Sequence, residues 1–186
     1  GTTVESLIDQ MGVEYLRYAE QQDPWLPRKH SLIAHYRKKH DPFSLVFAFV
    51  RHPASYYESV WKYLHAAGPR KRRPFLEKWA WHPKREAVAN WRDGFNEWVR
   101  AMIEHAPCWY TRMLENYVGP QGGEYCDYIG RTETLYDDFR HVMRLAGYGC
   151  RLPEIGAAPR ANASSGVASW EDETLDALLY NERLAV

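Results

Sequence analysis

Hydrophobic positions follow two different patterns along the chain. Over residues 4–20 they recur at three- and four-residue steps, which predicts an amphipathic helix. Residues 44–50 are instead apolar on both faces, a pattern typical of a short strand buried in a parallel sheet. Shortly after this run, Pro53 suits the first turn of a helix. A strand that leads directly into a helix indicates an α/β fold.

The same patterns predict one more strand and several further helices. Residues 125–129 form a second apolar run of strand length, and Gly147 predicts the end of the helix that follows it. The order of these elements favours a single α/β domain over residues 1–186, with a central parallel sheet flanked by helices. The helices predicted after the first are residues 31–39, 53–64, 90–104, 109–117, 136–146 and 170–183.

Composition supports a packed core and argues against a polyanionic partner. Of the 186 residues, 45% are hydrophobic and 15% are aromatic, which excludes an intrinsically disordered chain. Lys plus Arg and Asp plus Glu number 24 each, so the molecule as a whole has no positive field that attracts a nucleic acid. Any anion site must therefore be local.

Cysteine usage and hydropathy favour a cytoplasmic location. Cys108, Cys126 and Cys150 are an odd number without metal-ligand spacing, which argues against a disulfide framework and against a zinc site. No apolar run approaches the roughly 20 residues of a membrane span, and the N-terminus lacks a signal-peptide pattern. We therefore expect no membrane segment in this chain, while its start at Gly1 leaves an upstream anchor open.

Two predicted strands lead into arginines, Arg51 and Arg131. The ends of strands in open α/β sheets are where ligands bind. Ser59 lies eight residues after Arg51, inside the predicted helix. Arg51 could hold a phosphate through forked charge-assisted bonds, and Ser59 through its hydroxyl. The alternative is an arginine that caps a sheet edge and a serine that faces solvent, and spacing alone favours this alternative.

Residues 47–61 resemble the 3′-phosphate-binding motif of sulfotransferases that use 3′-phosphoadenosine 5′-phosphosulfate (PAPS). The family pattern is a strand, Arg, any residue, Pro, and a Ser eight residues after the Arg, usually with an aromatic residue two positions later. Tyr56 departs from it, because a second Arg is common there and contributes to the local anion field. The matching residues are Arg51, Pro53, Ser59 and Trp61.

Two later segments are similar to the same family in the same order. Residues 127–135, together with Asp138, resemble its later block of strand, Gly-Arg, Glu and Leu. Residues 162–164 are similar to an Asn-x-Ser segment that precedes the last helix in some branches. The resemblance covers residues 1–64 and about 124–183. It implies a P-loop-like three-layer fold, PAPS as the cofactor and no metal.

The resemblance also implies a reaction and a site. A sulfuryl group would pass from PAPS to the hydroxyl or amine of an acceptor substrate, a carbohydrate or a small molecule, and leave 3′-phosphoadenosine 5′-phosphate. Arg51 and Ser59 would bind the 3′-phosphate, and Arg131 is a weaker candidate near the nucleotide. The residues that resemble the end of the phosphate loop, where a helix N-terminus faces the 5′-phosphosulfate, are Gly1, Thr2 and Thr3.

The beginning of the chain departs from the family pattern. The strand that precedes the phosphate loop and the Lys of that loop are missing. This indicates either a truncated sequence or an impaired enzyme. A cloning remnant followed by a helix cap is the other interpretation of residues 1–3.

Sulfuryl transfer also needs a general base to take the acceptor proton. His30 is the first candidate, because it lies between the phosphate-loop helix and the Arg51 strand, where related branches carry a catalytic His. An imidazole titrates near neutral pH, which suits this task. Glu5, close behind the phosphate loop, is the second candidate. A solvated His30 in a basic helix is an equally open interpretation.

Basic and aromatic residues offer weaker indications about the acceptor. Arg28, Lys29 and the cations of residues 70–73 could guide an acidic acceptor, although we interpret the run at 70–73 as solvated. Several tryptophans could form an acceptor wall, but the helical spacing of residues 91, 95 and 98 favours a core. The tryptophans concerned are Trp79, Trp81, Trp91, Trp98 and Trp109.

Two other classes of protein compete with this interpretation. A nucleotide kinase also uses a Gly-Thr turn before a helix, but it needs a Lys next to Ser or Thr in the loop and an acidic ligand for Mg²⁺, and neither is visible. A non-catalytic sulfotransferase-like protein that binds a nucleotide or a partner is the second competitor. The missing Lys is its main support.

Overall fold

The computed structural model describes residues 4, 7, 8, 11, 45–66, 94–119, 123–149 and 168–182. These residues form a mixed α/β chain with one sheet of two parallel strands. The contacts divide the chain into two compact units, residues 1–50 with 115–163 and residues 51–114 with 164–186. A single domain over residues 1–186 stays a prediction. The elements are β1 Phe47–Val50, α1 Pro53–Ala66, α2 Phe95–His105, α3 Trp109–Val118, β2 Tyr128–Arg131, α4 Leu135–Leu145 and α5 Asp172–Asn181.

The first unit contains the sheet. β1 and β2 pair in parallel, and the register places Val50 opposite Arg131, which confirms the predicted parallel pairing. β2 begins at Tyr128, whereas the sequence predicted a strand over 125–129. Residues 125 and 126 belong to a turn instead. The N–H of Tyr125 donates to the carbonyl of Val118, and the N–H of Cys126 donates to that of Gly123, so neither bonds β1. β2 also ends two residues later than predicted, so Arg131 is its last residue and does not follow it.

α4 packs against β2. It ends where the sequence predicted. The N–H of Tyr148 donates to the carbonyl of Met143 at 2.8 Å, and the N–H of Gly147 donates to that of Arg144 at 3.0 Å. This pair of bonds is the Schellman motif, and Gly147 supplies the required left-handed backbone with φ +82°. Among the described residues, the buried core of the unit includes Leu7, Ile8, Met11, Phe139, Val142 and Met143.

The second unit is helical and rich in aromatic side chains. The spacing of Phe95, Trp98 and Met102 is confirmed as a core face, because all three side chains are buried. α2 starts at Phe95, whereas the predicted helix included position 94. Gly94 has φ +136°, which an α-helix excludes. In the described part of this unit, the buried core includes Tyr57, Trp61, Phe95, Trp98, Val99, Met102, Trp109, Tyr110 and Leu178.

The segment before α5 is attached to α2 through one buried amide. Asn96 donates from Nδ2 to the carbonyl of Ser169 at 3.0 Å and accepts the N–H of Glu171 at 3.2 Å. Trp170 donates its indole N–H to Glu58 at 2.8 Å. The two Asn96 bonds satisfy backbone groups that precede the helix, and α5 begins at Asp172, two residues later than predicted.

Candidate functional site

Arg51 follows β1 directly and is half-buried. Its backbone is held by the buried side chain of Tyr110. The Tyr110 hydroxyl accepts the Arg51 N–H at 2.9 Å and donates to the Arg51 carbonyl at 2.6 Å. One side chain thus satisfies both main-chain polar groups at the point where the strand ends.

The helix after this corner begins as the sequence predicted. Pro53 is the first residue of α1, a position that needs no N–H donor. His52 caps the helix, because its Nδ1 accepts the N–H of Ala54 at 3.3 Å. The His52 carbonyl also accepts the N–H of Tyr56 at 2.9 Å and so starts the helical ladder. The path of the chain from the strand into α1 is therefore defined by bonds at two successive residues, Arg51 and His52.

Ser59 lies on α1, on the side away from the aromatic core. Tyr57 and Trp61 form a buried row one turn apart on this helix. Ser59 comes two residues after Tyr57 and is therefore turned by about 200° around the helix axis. It shares a row with Ser55, and both side chains are half-buried. Arg51 and Ser59 belong to the same compact unit.

Arg131 belongs to the first unit and lies at the carboxyl end of β2, where its side chain is exposed. Asp138 of α4 organises this end of the strand. Its Oδ2 accepts the N–H of Arg131 and the hydroxyl of Thr134, both at 2.7 Å. Its Oδ1 accepts the hydroxyl of Tyr128 at 2.6 Å. One carboxylate thus accepts hydrogen bonds from both ends of the turn over residues 131–134.

The hydrogen bonds around Asp138 change the acidity of two groups. The Tyr128 hydroxyl, and then the N–H of Arg131, lower the pKa of Asp138. The same bond raises the pKa of Tyr128, because the carboxylate favours the protonated phenol. Because its pKa is lowered, the Asp138 carboxylate stays ionised, and so remains a hydrogen-bond acceptor, to a lower pH than an ordinary aspartate.

Replacing Asp138 by Asn is expected to flatten the acid side of the stability profile. Because the pKa of Asp138 is lowered in the folded protein, its contribution is complete above the unfolded value of about 3.9 and is lost as pH falls through the folded pKa. At neutral pH we expect Asp138→Asn to cost about 1 kcal/mol.

Urea unfolding between about pH 5 and about pH 2 checks this. The variant should lose less stability over that range than the wild type. Asp137→Asn serves as the control, since Asp137 is exposed and lies 3.9 Å from its Arg140 partner. An equal acid loss in wild type and Asp138→Asn contradicts the lowered pKa.

A buried carboxylate that the sequence analysis did not single out lies behind the Arg51 corner. Glu182 is 0% exposed and accepts four hydrogen bonds. Oε1 accepts the hydroxyl of Tyr57 at 2.8 Å and the N–H of Tyr110 at 3.1 Å. Oε2 accepts the N–H and the hydroxyl of Thr111, at 2.9 Å and 2.7 Å. Burial and the nearby Glu182 charge raise the pKa of Tyr57 well above its ordinary value.

The position of Glu182 explains why it is buried. The two N–H groups that it accepts are in the first turn of α3, where helix donors have no partner within the helix. The positive end of the helix dipole also favours a negative charge there. Beside it, Asn181 accepts the N–H of Cys108 at 2.7 Å. The end of α5 therefore caps the start of α3.

Several of the predicted site residues lie outside the described residues. They include the phosphate-loop candidates and both candidates for the general base, so the structure neither brings them to the Arg51 corner nor separates them from it. Of the acceptor-wall tryptophans, Trp98 and Trp109 are 1% and 4% exposed and belong to the core. The predicted site residues outside the described part are Gly1, Thr2, Thr3, Glu5 and His30, together with residues 28–29, 70–73, 79, 81, 91 and 162–164.

Comparisons with known proteins leave the site to be judged on its own residues. The chain matches no protein-family model, no curated protein and no solved structure. Within the described ranges, no group of three or more His, Cys, Asp or Glu side chains is placed to hold a metal ion. In that same part of the chain, no helix has the length and apolar character needed to cross a membrane.

Proposed function

We propose that the protein is a PAPS-dependent sulfotransferase of P-loop-like, three-layer α/β fold. The observation that supports this most is the Arg51 corner. A parallel strand ends there, the arginine backbone is held by Tyr110, and a capped helix begins two residues later. Ser59 follows on that helix, off the buried row, at the spacing of the 3′-phosphate motif.

The chemistry of this corner suits a phosphate. A guanidinium offers parallel N–H donors to two phosphate oxygens, and a serine hydroxyl donates to a third. From Pro53 to Ser59 the helix rises by about 9 Å, so an arginine side chain that runs along α1 approaches the same anion as Ser59. In the proposal, Arg51 and Ser59 hold the 3′-phosphate of the nucleotide.

The proposed reaction is the transfer of a sulfuryl group. The acceptor oxygen or nitrogen forms a bond to sulfur, and the bond between sulfur and the bridging phosphate oxygen breaks. The acceptor proton passes to a general base. His30 is the first candidate for this base, and Glu5 is the second. The products are the sulfated acceptor, a carbohydrate or a small molecule, and 3′-phosphoadenosine 5′-phosphate. Gly1, Thr2 and Thr3 are proposed to contact the 5′-phosphosulfate, and Arg131 to lie near the nucleotide.

Calorimetry with 3′-phosphoadenosine 5′-phosphate tests the binding step. We expect Arg51→Ala to weaken binding by at least tenfold, because a hydrogen bond to a charged group contributes about 1.5–3 kcal/mol. Ser59→Ala should weaken it by a smaller factor. Ser55→Ala is the matched control, since Ser55 is half-buried on the same row of α1.

The outcomes distinguish a 3′-phosphate site from an arginine that caps a sheet edge and a serine that faces solvent. Unchanged affinity for Ser55→Ala together with losses for Arg51→Ala and Ser59→Ala supports the proposal. Absence of binding by the wild type, or equal binding by all four proteins, contradicts it. Binding without transfer of labelled sulfate from PAPS to any hydroxyl or amine acceptor favours the non-catalytic alternative.

A further inference from the structure

Tyr110 lies outside the motif of residues 47–61, yet it touches the main chain of the arginine in that motif. Its hydroxyl bonds both the N–H and the carbonyl of Arg51, at 2.9 Å and 2.6 Å. Two bonds from one oxygen to one residue require its N–H and carbonyl to point the same way, as they do in extended backbone. We propose that Tyr110 is a positioning residue that sets the direction of the Arg51 side chain for the 3′-phosphate. This inference rests on the proposed function.

Tyr110 is itself held firmly. Its side chain is 1% exposed, and its ring stacks on Tyr56 with centroids 4.2 Å apart and planes 23° apart. Its own N–H donates to the buried carboxylate of Glu182 at 3.1 Å. The hydroxyl therefore reaches Arg51 from a fixed point, which a mobile surface tyrosine would not provide.

Holding both main-chain groups of Arg51 fixes its backbone dihedrals and so the direction of its Cα–Cβ bond. The side chain then chooses only among its rotamers. A guanidinium directed in advance loses less conformational freedom when a phosphate binds, and such preorganisation increases affinity. On the other side, His52 precedes a proline and is restricted to extended conformations. Tyr110 thus supplies the constraint on the strand side of the corner.

The test measures the Kd for 3′-phosphoadenosine 5′-phosphate in wild type, Tyr110→Phe, Arg51→Ala and the double variant. Tyr110→Phe removes only the hydroxyl and keeps the ring. We expect about a tenfold weaker Kd, equivalent to 1.4 kcal/mol, and no further weakening when Arg51 is already Ala. Tyr57→Phe is the matched control, because its hydroxyl bonds Glu182 in the same buried network. It should lower Tm and leave Kd unchanged.

Each outcome decides a different claim. The positioning role is wrong if wild type and Tyr110→Phe bind equally. It is also wrong if Tyr110→Phe weakens binding by the same factor in the Arg51→Ala protein as in the wild type. In both cases the proposed function stands. If the wild type does not bind, the proposed function fails and takes this role with it. NMR relaxation of the Arg51 Nε–H is a readout that needs no ligand, and it shows whether Tyr110 orders that side chain. Equal order in wild type and Tyr110→Phe contradicts this ordering.

Discussion

Glu182→Ala is expected to lower the free energy of unfolding by about 4 kcal/mol and Tm by roughly 10 °C. The substitution removes the acceptor of four buried donors, from Tyr57, Tyr110 and Thr111. Each donor left without a partner costs about 1–3 kcal/mol, and these costs are not fully additive because the donors share one carboxylate. Loss of the negative charge at the start of α3 adds to the effect. Thermal and urea unfolding followed by circular dichroism measure it.

Two controls identify the cause of this loss. Glu182→Gln keeps one oxygen acceptor but presents its NH₂ group to N–H and O–H donors, so about half of the loss should remain. Glu173→Ala removes an exposed carboxylate from the first turn of α5 and should change stability by less than about 0.5 kcal/mol. If Glu182→Ala is no more destabilising than Glu173→Ala, the buried network around Glu182 is wrong.

Gly130→Ala is expected to cost about 3 kcal/mol, the second largest effect. A Cβ at this position would lie 2.6 Å from Cε1 of Phe49 and 2.9 Å from Cβ of Asp138. The half-buried Phe49 ring packs against the core of the first unit, and Asp138 is held in place by its hydrogen bonds, so a shift of either would disturb further contacts. The glycine of the Gly-Arg block is thus explained by close approach of β1 and α4 to β2.

The matched control is the same substitution at Gly147. A Cβ there meets nothing within 4 Å, and only its φ of +82° opposes alanine. Gly147→Ala should therefore cost about 1 kcal/mol. Chemical unfolding of both variants separates steric exclusion from backbone strain. A Gly130→Ala protein as stable as the wild type contradicts the packing described for β2.

Local patterns allowed several parts of the fold to be predicted from the sequence. The entry from β1 into α1 follows from an apolar run and Pro53, and the end of α4 follows from Gly147, because each depends on residues within a few positions. The start of β2 was placed three residues early. Its position depends on main-chain bonds from Tyr125 and Cys126 to a turn, which no local hydrophobic pattern encodes.

The contacts behind the candidate site could not be predicted in the same way. Glu182 stands between Asn181 and Arg183, two polar neighbours that suggest a surface position, and its partner Tyr57 is 125 positions earlier in the chain. Tyr110 and Arg51 are 59 positions apart. The resemblance to the 3′-phosphate motif made Arg51 and Ser59 candidates, but the groups that hold the arginine backbone come together only through the packing of α1, α3 and α5.

The central claim is that Arg51 binds the 3′-phosphate, and a comparison of two ligands tests it most directly. The Kd values of wild type and Arg51→Ala are measured by calorimetry for 3′-phosphoadenosine 5′-phosphate and for 5′-AMP, which lacks the 3′-phosphate. We predict at least a tenfold loss for the first ligand and no change for the second. An equal loss for both ligands, or no loss for either, would contradict the account.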